Sequence, residues 1–303
     1  MKRFALVLVA LVGPLILGAC QEKLEWEIKL DVVAGNTEAA EYDDAIEYEE
    51  IMTLNKIRPN PQGGDSWGDY FFQFVDGNTE VKVYDLAMKT LAQTVRITSS
   101  LKGFVPNCHC NTACFGTEFY DAEDTFPLIY VSTGYAFGGY TGALVYRIVQ
   151  HNGVFFITLV QTIKIRVGNA SWTEFVPGDE FAYLCYTTER VIYKIKMPKL
   201  KDGDTVIGLD SVIETYQFSP QPDWMATSRN QDRLFYQGKI LFISGVPHAN
   251  EASVLVFLNL ETRERERIID LQKNGLTSEP ESLFIWQGDI CVAFLDKIVK
   301  LYL

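Results

Sequence analysis

Asp232-Arg-Leu-Phe-Tyr-Gln-Gly-Lys-Ile-Leu-Phe-Ile243, Ser253-Val-Leu-Val-Phe-Leu-Asn-Leu260 and Arg265-Glu-Arg-Ile-Ile-Asp-Leu271 follow one another with little between them. These runs are rich in branched and aromatic residues, and Gln237-Gly238 is a two-residue turn signal within the first, so the stretch holds four short strands in sequence. The same order recurs in Gly68-Asp-Tyr-Phe-Phe-Gln-Phe-Val75, Val81-Lys-Val-Tyr-Asp-Leu86 and Thr94-Val-Arg-Ile97. Both units run through an apolar strand that ends in Val83-Tyr-Asp-Leu86 or Phe257-Leu-Asn-Leu260, then a polar turn and a last strand. A repeated four-strand meander is the reading of a β-propeller blade.

From about residue 46 the period is two throughout. Val154-Phe-Phe-Ile-Thr-Leu-Val160, Val191-Ile-Tyr-Lys-Ile195 and Leu128-Ile-Tyr-Val131 are further strands, and His151-Asn-Gly153 and Gln287-Gly-Asp289 are further turns. No amphipathic helical period of useful length occurs, so the fold class is all-β. Unit starts near Trp67, His109, Trp172, Trp224 and Glu279 give five blades, spaced 42, 63, 52 and 55 residues apart. The last unit is one strand short. Tyr48-Glu-Glu-Ile-Met-Thr-Leu-Asn-Lys-Ile57 can supply it, closing the ring by pairing N-terminal and C-terminal strands and removing open sheet edges. Six blades is the alternative if Glu25 to Val33 or the long second unit holds another.

The chain opens on Met1-Lys-Arg3, an apolar run from Phe4 to Leu17, and Leu17-Gly-Ala-Cys20. Cations, a short apolar segment and small residues before a cleavage point describe an export signal, and the run is too short for a permanent span. Leu17-Gly-Ala-Cys20 resembles the lipobox of bacterial lipoproteins, which implies removal of residues 1–19 and acylation of Cys20. Several acyl chains anchor firmly where one holds marginally. Residues 20–44 are polar and acidic and read as a flexible tether, leaving residues 45–303 as the propeller domain. With 48% hydrophobic residues over its full length the chain can build a core without disulfides. The formal charge of −12 becomes −14 once Lys2 and Arg3 leave with the leader, which argues against a nucleic acid partner.

Cys108, Cys110, Cys114, Cys185 and Cys291 remain besides Cys20, an odd number that completes no disulfide framework. Cys185 and Cys291 sit in apolar strands as small hydrophobes. Asn107-Cys-His-Cys-Asn-Thr-Ala-Cys114 gathers three thiols and His109, but structural zinc takes two ligand pairs with wider internal spacing. A metal site, a labile disulfide and free thiols all stay open there, with free thiols preferred.

The whole resembles the lipid-anchored β-propeller proteins of Bacteroides-like bacteria. The resemblance rests on the Cys20 lipobox, on His109-Cys-Asn111 leading to Phe126-Pro-Leu-Ile-Tyr-Val131, and on Glu279-Pro-Glu-Ser-Leu283. The last is similar to a Glu-Pro-Glu-Gly-Leu phrase that opens blades in several propeller groups, with Ser282 in place of glycine. It implies a fold and an address in the envelope, at the outer membrane or the cell surface, but no chemistry.

In a propeller, residues just before the innermost strands converge on one face. That phase nominates Trp67 and Asp69, His109 and Asn111, Trp172 and Glu174, Asp223 and Trp224, and Glu279 and Glu281 as a binding or catalytic set. Carboxylates with a histidine suit acid–base work or a calcium ion held by oxygen ligands, and tryptophans suit stacking on sugar rings. Each also has a structural reading, since blade-initial tryptophans pack between blades and carboxylates accept backbone N–H bonds. His248 falls on a loop and is read as solvent-exposed. No phosphate loop, Gly-x-Ser-x-Gly elbow or His-Glu-x-x-His is present. The expectation is therefore a lipid-anchored propeller that binds a glycan or a protein partner, without a required cofactor. The rival is a calcium-assisted hydrolase or a lyase acting on a sugar or phosphoester.

Overall fold

Tight two-residue turns set the register of the blades. Gln237-Gly238, Gln287-Gly288 and Asn152-Gly153 each place both residues at positive φ, with the asparagine or glutamine at φ 49 to 53° and the glycine at φ 76 to 89°. That backbone twist matches the right-handed twist of the strands it joins. Tyr236 consequently faces Lys239, Trp286 faces Asp289 and His151 faces Val154.

The computed structural model describes residues 45–55, 60–100, 108–134, 141–167, 173–186, 191–218 and 229–303. The leader, the tether with Cys20, and Trp172, Asp223 and Trp224 lie outside the described residues.

Five sheets, antiparallel within each blade, follow in order. The first blade is Pro61–Trp67, Tyr70–Val75, Glu80–Asp85 and Thr90–Arg96. Its successor carries Ala113–Phe115, Ile129–Ser132 and the long hairpin Thr141–His151 with Val154–Ile165. The outer edge of that hairpin is covered in parallel by Thr98–Ser99 and Thr205–Ile207, two segments borrowed from outside the blade. Thr173–Pro177, Phe181–Tyr186, Val191–Lys196 and Val212–Gln217 make the third. In the fourth are Asn230–Tyr236, Lys239–Ser244, Val254–Asn259 and Arg265–Asp270. The last joins Pro280–Trp286, Asp289–Phe294 and Lys297–Tyr302 to Glu47–Thr53, which pairs antiparallel with Lys297–Tyr302 from near the start of the chain. The expected closure by N-terminal and C-terminal strands is therefore present, and the blades number five rather than six.

Innermost strands of successive blades touch around the ring, Pro61–Trp67 meeting both Ala113–Phe115 and Pro280–Trp286. The apolar mass lies between blades. Phe72 meets the edges of Phe126 and Phe155 at 5.3 and 5.6 Å, joining first and second blades, and Phe71 stacks on Phe284 at 4.3 Å, joining first and fifth. Each fully buried phenylalanine contributes about 2 to 3 kcal/mol, so these wedges hold the ring together.

One expectation on phase is corrected. The sequence reading starts the first blade at Gly68, but the innermost strand is Pro61-Gln-Gly-Gly-Asp-Ser-Trp67, and Gly68-Asp69 is the turn after it. Its glycines conceal a strand that crowding demands. A Cβ on Gly63 would meet the carbonyl oxygens of Asn111 and Cys110 at 2.7 and 2.8 Å, and one on Gly64 would meet that of Phe72 at 2.6 Å.

All five described cysteines are free and buried. Cys108 and Cys110 precede the inner strand of the second blade, their sulfurs 3.5 Å apart, while Cys114 lies on it.

Candidate functional site

Each inner strand begins at the same face and presents a polar side chain there. Gln62, Glu174, Gln231 and Glu281 are the second residues of their strands, and Asn111 stands two before Ala113. All five are buried, although residue types of this kind usually face solvent. They converge on a cavity of about 540 Å³, within the range of small-molecule sites.

Across this cavity the blades are tied by polar contacts. Arg233 and Glu174, each 1% exposed, form an ion pair between the fourth and third blades. Asn111 Nδ2 donates to Glu174 Oε1 and, at 3.3 Å, to the Asn230 carbonyl. Burial lowers the Arg233 pKa to about 9, and its guanidinium carbon sits 5.6 Å from the Phe242 ring centroid. Beneath, carboxylates accept N–H groups from their own and the neighbouring inner strands. Asp65 accepts from Ser66 and Phe115 at 2.7 and 2.8 Å, and Asp232 accepts from Arg233 and Leu283 at 2.7 and 2.9 Å. Desolvation nonetheless pushes Asp65 up to about 7 and Asp232 well above the ordinary carboxylate range. Ser282 Oγ donates to the Gln62 carbonyl at 2.7 Å, linking fifth blade to first.

The rim carries charge. Glu279 accepts from Gln231 Nε2 at 2.8 Å and lies 3.3 Å from His248 Nδ1. Burial raises its pKa, while His248, Gln231 and Arg229 act against that rise. Arg229 Nε is 3.0 Å from Glu251 Oε1. His109 Nδ1 lies 3.0 Å from Asp76 Oδ1, and its backbone N–H donates to the Thr133 carbonyl. Cys110 takes φ 59°, turning the chain so that its carbonyl accepts the Gly63 N–H at 3.0 Å.

Of the nominated residues, His109, Asn111, Glu174, Glu279 and Glu281 line this one cavity. Trp67 and Asp69 do not. They occupy the turn at the other end of their inner strand, where Trp67, 39% exposed, packs 5.8 Å from Phe115 and Asp69 accepts the Trp286 indole N–H at 3.2 Å. The one-strand error in phase places them at the wrong end. Trp172, Asp223 and Trp224 lie outside the described residues, so no stacking platform is assigned to them. His248 is exposed as expected, yet its ring reaches Glu279 at the cavity rim.

Gln62, Gln231, Arg229 and Arg233 were not nominated. A signal for two of them exists: Gln231-Asp232 and Gln62 with Asp65 repeat a polar start and an aspartate along the inner strands. Among the described residues no group of three or more His, Cys, Asp or Glu is arranged to hold a metal ion, so no calcium ligand set is assigned. Among them, too, no helix is long and apolar enough to cross a membrane.

No protein-family model matches the chain, and no curated protein matches it. Solved structures do. The glutaminyl cyclase of Myxococcus xanthus aligns over 85% of this chain and 97% of its own, at 10% identity and a TM-score of 0.50. A tail fiber of Staphylococcus aureus phage P68 aligns over 84% of this chain and 52% of its own, at 11% identity and a TM-score of 0.52. The PQQ-bound aldose sugar dehydrogenase of Streptomyces coelicolor aligns over 84% and 98%, at 7% identity and a TM-score of 0.45. At such identities the likeness is one of fold alone.

Proposed function

We propose that this protein is a binding propeller of the cell envelope that seats the end of a glycan in its central cavity and is held to the membrane by acyl chains on Cys20. The observation that carries the reading is the ring of buried amide and carboxyl groups, Gln62, Asn111, Glu174, Gln231 and Glu281, one from each blade. Amides offer donor and acceptor side by side, which suits adjacent sugar hydroxyls, and a ring drawn from five packed blades is rigid before the ligand arrives. Titration calorimetry of the purified protein against neutral oligosaccharides tests it. Gln62→Ala and Gln231→Ala should each weaken binding about tenfold, as expected for ~1.4 kcal/mol per lost hydrogen-bonding group. If saccharides of every class tried fail to bind, the reading is wrong.

The anchor is tested separately, by labelling cells with a fatty-acid probe. Wild type should label and Cys20→Ala should not; equal labelling would remove Cys20 as the lipid site. A second reading, a sugar hydrolase or lyase, draws support from Glu279 and Glu281, two carboxyls of raised pKa in one cleft. Turnover abolished by Glu281→Gln with binding retained would favour it over binding alone.

A further inference from the structure

Among the described residues, the charges that line the cavity are matched with one exception. Glu174 is paired with Arg233, Arg229 with Glu251, and Glu279 accepts from Gln231 beside His248. Glu281 lines the same cavity at 3% exposure, and among the described residues no donor or cation meets its carboxyl. A buried carboxyl that opens only onto a cavity is costly unless something arriving there compensates it. The surroundings do not. Glu279, Asp232 and Asp76 are the charged groups that bear on Glu281, all three are acidic, and with desolvation they push its pKa well above the carboxylate range. Gln62, from the neighbouring blade, turns its backbone carbonyl to the hydroxyl of Ser282, the residue after Glu281.

Building on the glycan reading above, we infer that the cavity selects a ligand bearing a protonated amine, an amino sugar in preference to a neutral one, with the ammonium seated on Glu281. An ammonium supplies up to three N–H donors and one positive charge, which answers both the missing donor and the acidic surroundings. A neutral hydroxyl answers only the first. The proton balance follows: where Glu281 is protonated before binding, the ammonium takes its place, the carboxyl proton passes to solvent, and the ligand keeps its own protons. Binding to the wild-type protein therefore releases protons.

Three probes separate the outcomes in calorimetry with the full-length protein in detergent at pH 5.5, where the sugar amine already carries its proton in solution. They are chitobiose with both amines free, cellobiose with hydroxyls in the same places, and spermidine as an amine without a sugar. The expected result is at least tenfold tighter binding of free-amine chitobiose than of cellobiose. Net proton release should appear when the titration is repeated in buffers of different ionisation enthalpy. Glu281→Gln should abolish both the preference and the release. Proton release is read on the unmutated protein, so the inference remains refutable even if the variant does not fold. Equal affinity for the two disaccharides, or no proton release, overturns the amine while leaving the glycan reading in place. Binding of spermidine without either disaccharide supports the amine and removes the glycan. No binding of any probe overturns both.

Discussion

Replacing Arg233 by Met removes the positive member of a pair that is 1% exposed on both sides and leaves the Glu174 carboxylate facing the centre of the ring. Breaking a buried pair from one side costs about 3 to 5 kcal/mol, since the surviving charge has lost its partner without regaining water. Asn111 Nδ2 still donates to Glu174 Oε1, so part of the carboxylate remains satisfied and the lower half of that range is the expectation, about 3 kcal/mol. For a domain of this size that corresponds to a fall in midpoint of roughly 10 °C. Urea unfolding followed by tryptophan fluorescence, with the slope held constant, measures it directly. Two internal checks accompany the single variant. As pH falls the stranded, buried Glu174 takes up a proton and the defect shrinks. Arg233→Met combined with Glu174→Leu removes both charges and should return to within about 1.5 kcal/mol of the parent, recovering about half of the single variant's loss. A single variant that loses under about 1 kcal/mol, or a double variant no better than the single, would refute the claim that this pair is a desolvated link between blades.

Three further outcomes are expected. Gly63→Ala forces a methyl against two carbonyl oxygens at 2.7 and 2.8 Å and should cost about 3 kcal/mol, whereas Gly68→Ala, at φ 61° with nothing within 4 Å, should cost only about 1; comparable losses in chemical denaturation would deny the crowding at the inner strand. Asp65, held up to about 7, and the likewise raised Asp232 and Glu281 keep protons in the folded chain that the unfolded chain releases near pH 4, so stability should fall as pH rises from 5 to 7 by roughly 1.4 kcal/mol per unit for each group still protonated. Flat or rising urea midpoints over that window would contradict the burial of these acids. Deleting residues up to Thr53 strips the closing strand and the buried Ile51 and Met52, leaving the edge of Lys297–Tyr302 bare; size-exclusion chromatography should then report self-association and thermal melting a lower midpoint, and a monomer with unchanged midpoint would show that closure is dispensable.

Strand after strand of the fold was legible because β-structure is written locally. A period of two in Val254-Leu-Val-Phe-Leu258 and turns such as Gln237-Gly238 carry their own geometry, and a closing strand near Tyr48 follows once the last unit is one strand short. The phase of the first blade was not legible, because Pro61-Gln-Gly-Gly-Asp-Ser-Trp67 has turn composition. It is a strand only because neighbouring backbones leave no room for side chains there. The candidate site divides the same way. His109, Asn111, Glu174, Glu279 and Glu281 follow from blade phase, and they meet in one cavity. Gln62 and Arg233 depend on that misread phase and on a pairing between blades.

The sequence by itself determined an all-β ring of repeated blades, its acidity and a lipobox-like Cys20, because periodicity, charge and short motifs are properties of neighbouring residues. Only the tertiary structure decided which polar residues share the centre, that Arg233 neutralises Glu174 and that nothing among the described residues neutralises Glu281. Charge matching across the ring depends on pairs from different blades, such as Glu174 and Arg233, and no local pattern encodes the distance between them.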